Sequence, residues 1–304
     1  AISFGAAMSG PATDRTRAFL KIQDGCDYQC TFCTIPLARG ASRSQSVGLC
    51  VMQANELVRQ GFKEIVLTGV NVGDYGRKIG SDLLSLLGAL TNVAGLHRVR
   101  ISSIEPNLLT PGLLDFIADH PTVCRHFHIP LQSGSDSVLR RMRRRYTADT
   151  YRELIHRVRE QFPFAGIGVD VITGFPGETE GEYDATHRLL VDLPVSYLHV
   201  FTYSERPNTP AASHRNPVPP IVRARRNEQL RILGQRKRAL FAGQHVGRTV
   251  TVLTETTVED GLRFGFTDSF LRVGVPAAGV DENAIVDVRV TNAVDDHCIG
   301  EIQR

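Results

Sequence analysis

The sequence predicts an α/β domain built as a partial six-unit (β/α) barrel, followed by a small antiparallel β-barrel. Three observations carry that reading. Between residues 19 and 202 short β-branched runs alternate with longer amphipathic ones, the pattern of repeated β-α units around a parallel sheet. Residues 208–220 hold Pro210, Pro217, Pro219 and Pro220 and read as a link without regular structure. After Gly243 apolar residues recur at period two, as in Val250 with Val252, Leu262 with Phe264 and Phe266, and Val286 with Val288 and Val290. Such alternation with glycines between predicts a closed barrel of about five strands.

The first domain takes its strands from 19–23, 64–68, 98–103, 126–131, 168–173 and 197–202. Between them the 3.6-residue period predicts helices over 47–60, 82–92, 111–118, 135–143 with 148–161, and 180–193. Thr179 and Glu182 have the spacing of a capping box, in which each side chain satisfies a free backbone donor at the helix start. A basic helix over about 221–242 follows the proline link. The chain thus divides into a residual linker (1–17), the β/α domain with its basic carboxyl-terminal helix (18–242) and the terminal barrel (243–304).

Composition bounds the function. The 304 residues are 42% hydrophobic, with six cysteines, no tryptophan and a net charge of +3, as in an ordinary globular chain. No run approaches the ~18 apolar residues of a membrane helix, since even 83–96 is broken by Ser85, Thr91 and Asn92. The chain opens on Ala1 with no basic segment before its first apolar residues, which reads as a cut rather than a secretory signal. The cytoplasm is the expected location. From Gly243 onward five arginines and no lysine face ten acids, a net of −5, which leaves +8 for residues 1–242. Arg140, Arg141, Arg143, Arg144 and Arg145 form one basic stretch, and Arg223 to Arg238 form another with seven basic side chains. Each is either a solvated helix face or a phosphate-contacting surface.

Cys26, Cys30 and Cys33 fall within eight residues, directly after the first strand, while Cys50, Cys124 and Cys298 stand alone and read as structural thiols. The trio lies at the carboxyl end of the sheet, where such folds place active sites. It points to metal or cluster ligation in a reducing compartment rather than to a disulfide framework. A structural zinc calls for a fourth ligand, usually from a second closely spaced pair, and the sequence offers none. A cubane iron–sulfur cluster on three thiolates leaves one iron open to bind a substrate, and this reading is favoured over zinc.

With Phe32 before its last cysteine, this motif resembles the cluster loop of the radical S-adenosylmethionine (SAM) enzymes. The resemblance implies a 4Fe–4S cluster on Cys26, Cys30 and Cys33 whose open iron chelates SAM. It also implies reductive cleavage of SAM to a 5′-deoxyadenosyl radical. Segments 21–44 (KIQDGCDYQCTFCTIPLARGASRS), 68–76 (TGVNVGDYG), 128–136 (HIPLQSGSD) and 170–179 (DVITGFPGET) resemble the methylthiotransferase branch. Segment 101–106 (ISSIEP) is similar to the MtaB-type enzymes within it. That similarity implies insertion of a methylthio group at C2 of N6-threonylcarbamoyladenosine beside the tRNA anticodon. The partners implied are a tRNA anticodon stem-loop and a reductant protein such as flavodoxin or ferredoxin. The terminal barrel resembles a TRAM domain, an OB-like RNA-binding module. Members of the branch also carry an amino-terminal domain holding a second 4Fe–4S cluster, which is absent from this sequence. The alternatives are an enzyme acting on isopentenyladenosine in tRNA, and a non-catalytic RNA-binding module stabilised by zinc.

The candidate cofactor-binding residues follow. Gly69 and Asn71 match the glycine-rich motif that contacts the SAM amino group in the superfamily, against a plain strand-ending turn. Ser103 and Glu105 end the third strand within reach of the ribose or amino group, against helix capping before Pro106. Gln132 and Ser133 end the fourth strand at the same mouth, against capping of the next helix. Asp170 is an acid in an apolar strand, costly to bury unless paired or facing a wet cavity. Arg144 matches the arginine of the family's Met-x-Arg pattern and is assigned to the SAM carboxylate or a phosphate. Its arginine neighbours are read as surface. Phe32 is placed against the adenine, or as a shield against water. His126, His128 and His199 are read as packed, hydrogen-bonded residues rather than ligands.

Overall fold

A computed structural model describes residues 16–214 and 216–303, so that 1–15 of the expected linker lie outside the described residues. The chain enters through β1 (Arg17–Lys21), then a short antiparallel pair, β2 (Gln23–Asp24) and β3 (Arg43–Ser44), separated by a loop that holds α1 (Ile35–Arg39). Five further β-strands follow, each reached through one or two helices. α2 (Val47–Arg59) leads to β4 (Glu64–Thr68), α3 (Leu83–Thr91) to β5 (Arg98–Ile101), and α4 (Pro111–Asp119) to β6 (His126–His128). α5 (Asp136–Arg141) and α6 (Ala148–Gln161) then lead to β7 (Gly166–Thr173), and α7 (Glu180–Asp192) to β8 (Tyr197–Thr202). The helix starts are capped as the side chains dictate. Ser46, Asp82 and Thr110 each accept an N–H from three residues on, and Thr179 with Glu182 forms the reciprocal capping box.

β1-β4-β5 and β6-β7-β8 are each parallel. A bridge between Val99 and Val123 joins them, with Val99 N–H on the Thr122 carbonyl and Cys124 N–H on the Val99 carbonyl, both at 2.8 Å. The result is an open half-barrel of six strands in chain order. Alternation sets its two faces. Leu20, Ile65, Leu67, Val99, Phe127, Ile167, Val169 and Val171 are buried under the helices. Glu64, Arg98, Arg100, His126, His128, Asp170, Tyr197 and His199 share the opposite, inner face.

Four of the expected strands differ in their bounds, the third only in stopping at Ile101 rather than 103. The strand expected over 19–23 splits after Lys21, because Asp24 is drawn aside by Lys21 at 2.8 Å and Arg43 at 2.9 Å. Gly25 then turns back at φ +69°, where any β-carbon would collide with the Gly40 and Ala41 carbonyls. The strand expected over 126–131 stops at His128, since Pro130 has no N–H to give. β7 begins at Gly166, two residues early, where it pairs with His126 of β6, and a side chain at 166 would strike the Ser269 carbonyl of the terminal barrel.

After β8, α8 (Pro220–Gly243) crosses to the second domain. There β9 (Thr249–Glu259), β10 (Leu262–Thr267), β11 (Arg272–Pro276), β12 (Ile285–Val294) and β13 (His297–Ile302) close a barrel in the order β10-β11-β13-β12-β9. Val252, Val273, Val275, Val288, Val290 and Cys298 fill it. The barrel seats its β10–β11 turn against the amino-terminal end of the half-barrel. Arg98 donates to the carbonyls of Thr251 and Phe266 at 2.7 and 2.9 Å, and Arg100 to those of Asp268 and Thr267 at 2.7 and 3.0 Å. That end is closed, and the carboxyl end stays open. No helix among the described residues is long and apolar enough to cross a membrane.

Candidate functional site

The three cysteines lie on the loop between β2 and α1, all free and half-buried. Gln23 organises this loop from beneath. Its amide nitrogen donates to the Gly25 carbonyl at 2.8 Å and to Ser42 Oγ at 3.0 Å, and its oxygen accepts the Asn71 N–H at 2.8 Å. On the far side Thr31 fastens the loop to the end of α5, its Oγ1 donating to the Arg141 carbonyl at 2.9 Å and its N–H to that of Met142 at 3.2 Å. Each sulfur faces one donor: Tyr28 N at 3.4 Å from Cys26, Arg144 Nη1 at 3.2 Å from Cys30, and Ile35 N at 3.5 Å from Cys33. Donors aimed at sulfur favour the thiolate, the form that ligates metal. Burial still pushes the Cys26 and Cys30 thiols up, with Arg144 opposing it at Cys30.

The chemistry of the donors bears on what they can hold. An all-thiolate donor set with a basic side chain against one sulfur is the chemistry that an iron–sulfur cluster takes. Among the described residues the ligand atoms of His128, Asp170 and His199 lie within 4.8 Å of one another.

Arg144 links the loop to the rest of the mouth. Besides Cys30 it is ion-paired with Glu105, and its Nε lies 3.1 Å from Tyr146 Oη, which itself donates to the carbonyls of Pro130 and Leu131 at 2.9 and 2.8 Å. Glu105 stands at the start of a short 3-10 turn, Pro106–Leu108, but makes no side-chain cap there. Asn71 is buried, and its Oδ1 has no hydrogen-bond partner. An unsatisfied acceptor at the edge of the cysteine loop is the kind of vacancy a ligand N–H fills. Gly69 sits where a β-carbon would press on Gln23 at 3.0 Å, so close approach explains this glycine, without a positive φ.

The remaining candidates divide. Phe32 packs into a satellite cluster with Val138, Met142, Phe175, Tyr203 and Ala211. Gln132 takes φ +66° and exchanges backbone hydrogen bonds with β7, and Ser103 is half-buried beyond the end of β5. Ser133 is turned away from the loop, its hydroxyl 3.2 Å from that of Thr186 in α7. Asp170 faces the lumen and is met by His128 Nε2 at 2.8 Å and His199 Nδ1 at 3.3 Å. His126 is buried with its Nε2 2.7 Å from Tyr197 Oη. The histidines are therefore hydrogen-bonded, but His199 is not packed: its side chain is 45% exposed. Gln23 and Tyr146 escaped the sequence reading altogether. The period-two register that puts 128, 170 and 199 on one face was available to find the histidine pair.

The basic stretches are less free than their composition suggests. Arg226 is buried against Glu178 and Glu180, both at 2.7 Å, and Lys237 donates to the carbonyls of Val191 and Leu193. Arg223, Arg225 and Arg238 pair with Glu205, Glu180 and Asp296. Within α8, Arg226 and Lys237 are thus turned inward, while Arg225, Arg231 and Arg236 remain exposed, so that only part of its charge is committed to the fold. In the other run Arg141 is bound by Glu182 at 2.9 Å, and Arg145 lies over the Tyr28 ring at 3.7 Å, so these two are more than surface charges.

The chain is similar to several known proteins. The Radical SAM superfamily matches over residues 20–190. The threonylcarbamoyladenosine tRNA methylthiotransferase MtaB of Bacillus subtilis is 39% identical over 287 residues, covering 92% of this chain and 64% of that protein. The protein of the same name from Thermotoga maritima is 36% identical over 269 residues, covering 87% and 61%. The chain therefore spans about three-fifths of these relatives' length. Among solved structures, coproporphyrinogen III oxidase (HemN) of Escherichia coli aligns with a TM-score of 0.55 at 15% identity, covering 90% of this chain and 66% of that one. The radical SAM methyltransferase TsrM of Kitasatospora setae, with cobalamin and a 4Fe–4S cluster bound, aligns at 0.54 with 17% identity, covering 81% and 41%. These two likenesses concern the fold.

Proposed function

The chain belongs to the radical SAM superfamily, and from that premise we propose that it is the radical-generating and RNA-docking part of a tRNA methylthiotransferase that inserts a methylthio group at C2 of N6-threonylcarbamoyladenosine. Cys26, Cys30 and Cys33 hold a 4Fe–4S cluster at the open carboxyl end of the half-barrel. A cluster held there would supply, with SAM, the one-electron chemistry that activates a C–H bond. Arg144 donates to the Cys30 sulfur and fixes Glu105 beside it. Asn71 offers its unpartnered Oδ1 to the SAM amino group. The closed floor and the packed outer face keep water from the radical's surroundings, while the open edge at β8 admits a nucleoside.

The observation that carries this reading is the trio of free thiols, each facing a donor, on the first loop at that open end. The similarity to the Bacillus subtilis and Thermotoga maritima proteins, which are named for threonylcarbamoyladenosine tRNA, supports this choice of substrate. A second 4Fe–4S cluster, in an amino-terminal domain, is required to supply the sulfur. The anticodon stem-loop of tRNA, a flavodoxin or ferredoxin as electron donor, and a cytoplasmic location complete the proposal.

The test is iron and sulfide content after anaerobic reconstitution, followed by 5′-deoxyadenosine release from SAM under a strong reductant. About four irons and four sulfides with cleavage that disappears in Cys30→Ala supports the radical site. Zinc near one per chain and no cleavage overturns it. A full-length protein that methylthiolates isopentenyladenosine tRNA and leaves threonylcarbamoyladenosine tRNA untouched overturns the substrate.

A further inference from the structure

The inner wall of the half-barrel carries an arrangement to which the reading above gives no part in holding the cluster or SAM. His128 on β6, Asp170 on β7 and His199 on β8 lie side by side on adjacent parallel strands, and both imidazoles reach the same oxygen, Asp170 Oδ1. Burial acts to raise the Asp170 carboxyl, but the two histidine hydrogen bonds outweigh it and hold the group at about 2. Among the described residues no lysine or arginine is ion-paired with this carboxylate, whose partners are the two imidazoles. The array is wet. Side-chain exposure rises from 15% at His128 through 21% at Asp170 to 45% at His199, along the edge where the sheet stays open. Two residues beyond His199 on the same face, Phe201 is 52% exposed at the rim.

The array also sits close to the chemistry. The His128 carbonyl accepts the Ile104 N–H, which places it beside Glu105, the partner of Arg144. The carbonyls of Pro130 and Leu131, two and three residues on from His128, accept Tyr146 Oη. At about 3.3 Å per strand residue, the array lies about 7 Å below that hydrogen-bonded mouth.

We propose that His128, Asp170 and His199 read the N6 substituent of the substrate adenosine, accepting a carbamoyl amino acid and rejecting a hydrocarbon. This rests on the reading above that the chain acts on threonylcarbamoyladenosine. A carbamoyl-threonine offers urea N–H and hydroxyl donors to the free lone pairs of Asp170. Its urea carbonyl and carboxylate are acceptors for an imidazole N–H, and His199 can turn its exposed nitrogen to them. An isopentenyl group has neither. Against it the carboxylate and both imidazoles lose water and gain no partner, the case in which a polar site discriminates most strongly. Phe201 at the rim gives the base an apolar face to slide along.

The experiment measures binding of the anaerobically reconstituted, full-length protein to one anticodon stem-loop sequence carrying threonylcarbamoyladenosine, isopentenyladenosine or adenosine at the same position. The wild-type protein is expected to favour the first over the second by about tenfold or more. In Asp170→Asn and in His199→Phe that ratio collapses towards one, while the cluster's visible absorption matches wild type. His199 lies at an exposed edge, so His199→Phe keeps the test open if Asp170→Asn fails to fold. A wild-type preference that survives in both variants overturns the inference and leaves the proposed substrate standing. A wild-type protein without the preference overturns the substrate reading itself. A divalent metal bound near one per chain after the iron is accounted for, and lost in His199→Phe, also overturns the inference, because the trio is then a metal site.

Discussion

Arg144 stands between Cys30 and Glu105, 3.2 Å from the sulfur with one terminal nitrogen and paired to the carboxylate with the other. Its side chain is 4% exposed, so this contact is screened little by solvent. A cation and N–H donor on a cluster sulfur stabilise the reduced, more negative cluster. Replacing Arg144 with methionine removes that donor and leaves Glu105 as an uncompensated negative charge. A lost charged hydrogen bond of ~1.5 kcal/mol corresponds to a shift on the order of 60 mV for one electron. The expected result in an EPR-monitored redox titration is a more negative cluster potential with iron content retained. An unchanged potential removes Arg144 from this role.

Asn71 gives a prediction of opposite sign for stability and binding. Its buried Oδ1 has no partner, so Asn71→Ala deletes an unsatisfied acceptor and is expected to leave the melting temperature of the SAM-free protein unchanged or slightly higher. SAM affinity, in contrast, is expected to fall about tenfold by equilibrium dialysis against the reconstituted protein. Loss of stability with full SAM affinity makes Asn71 a structural residue of the loop.

The floor of the half-barrel predicts that the two domains unfold together. Glu64 is fully buried and accepts from Arg100 at 2.7 Å, with Arg98 3.6 Å away, and both arginines continue into carbonyls of the terminal barrel. Phe270 from that barrel lies under Arg100 and against His126, with ring centroids 4.9 Å apart in the latter pair. Glu64→Leu strands two arginines without their counter-ion, and breaking a buried pair this way costs about 3–5 kcal/mol. Denaturant unfolding of the variant is expected to shift by that amount in a single transition followed by probes in both domains. The double variant Glu64→Leu/Arg100→Met should recover much of the loss. Two separate transitions in the wild type would show that the floor does not couple the domains.

These residues also mark what was legible beforehand. The cysteine loop, the six parallel strands and the alternating terminal barrel declare themselves through spacing and period, which are local properties of the chain. Glu64 reads as an ordinary strand-edge acid, and its role depends on Arg98 and Arg100 meeting it from the next strand. Arg226 and Lys237 look like solvent charges until Glu178 and the carboxyl end of α7 close over them. The same holds for Gln23, a polar residue at a strand end whose amide joins three segments far apart in sequence. What escaped is long-range pairing of polar side chains, which no periodicity encodes.

Glu182 carries a pH dependence whose sign is fixed by its partners. Burial alone would raise it, but Arg141, Ser137 and the Thr179 N–H hold it down at about 2, against an ordinary value of 4.5. A depressed carboxyl stabilises the fold fully above its unfolded value and loses that contribution as pH falls through the folded value. The window is therefore between about 4.5 and about 2. Across it protonation releases Arg141 and weakens the capping box that starts α7, and with it the helix on which Gly134 and Ser133 rest through Thr186. Glu182→Gln keeps an acceptor for the Thr179 N–H but cannot titrate. Its melting temperature is expected to be lower than wild type at pH 7 and to fall less steeply below pH 4.5, so that the two curves converge in acid. Parallel curves for the two proteins would assign the acid sensitivity of this region to other carboxylates.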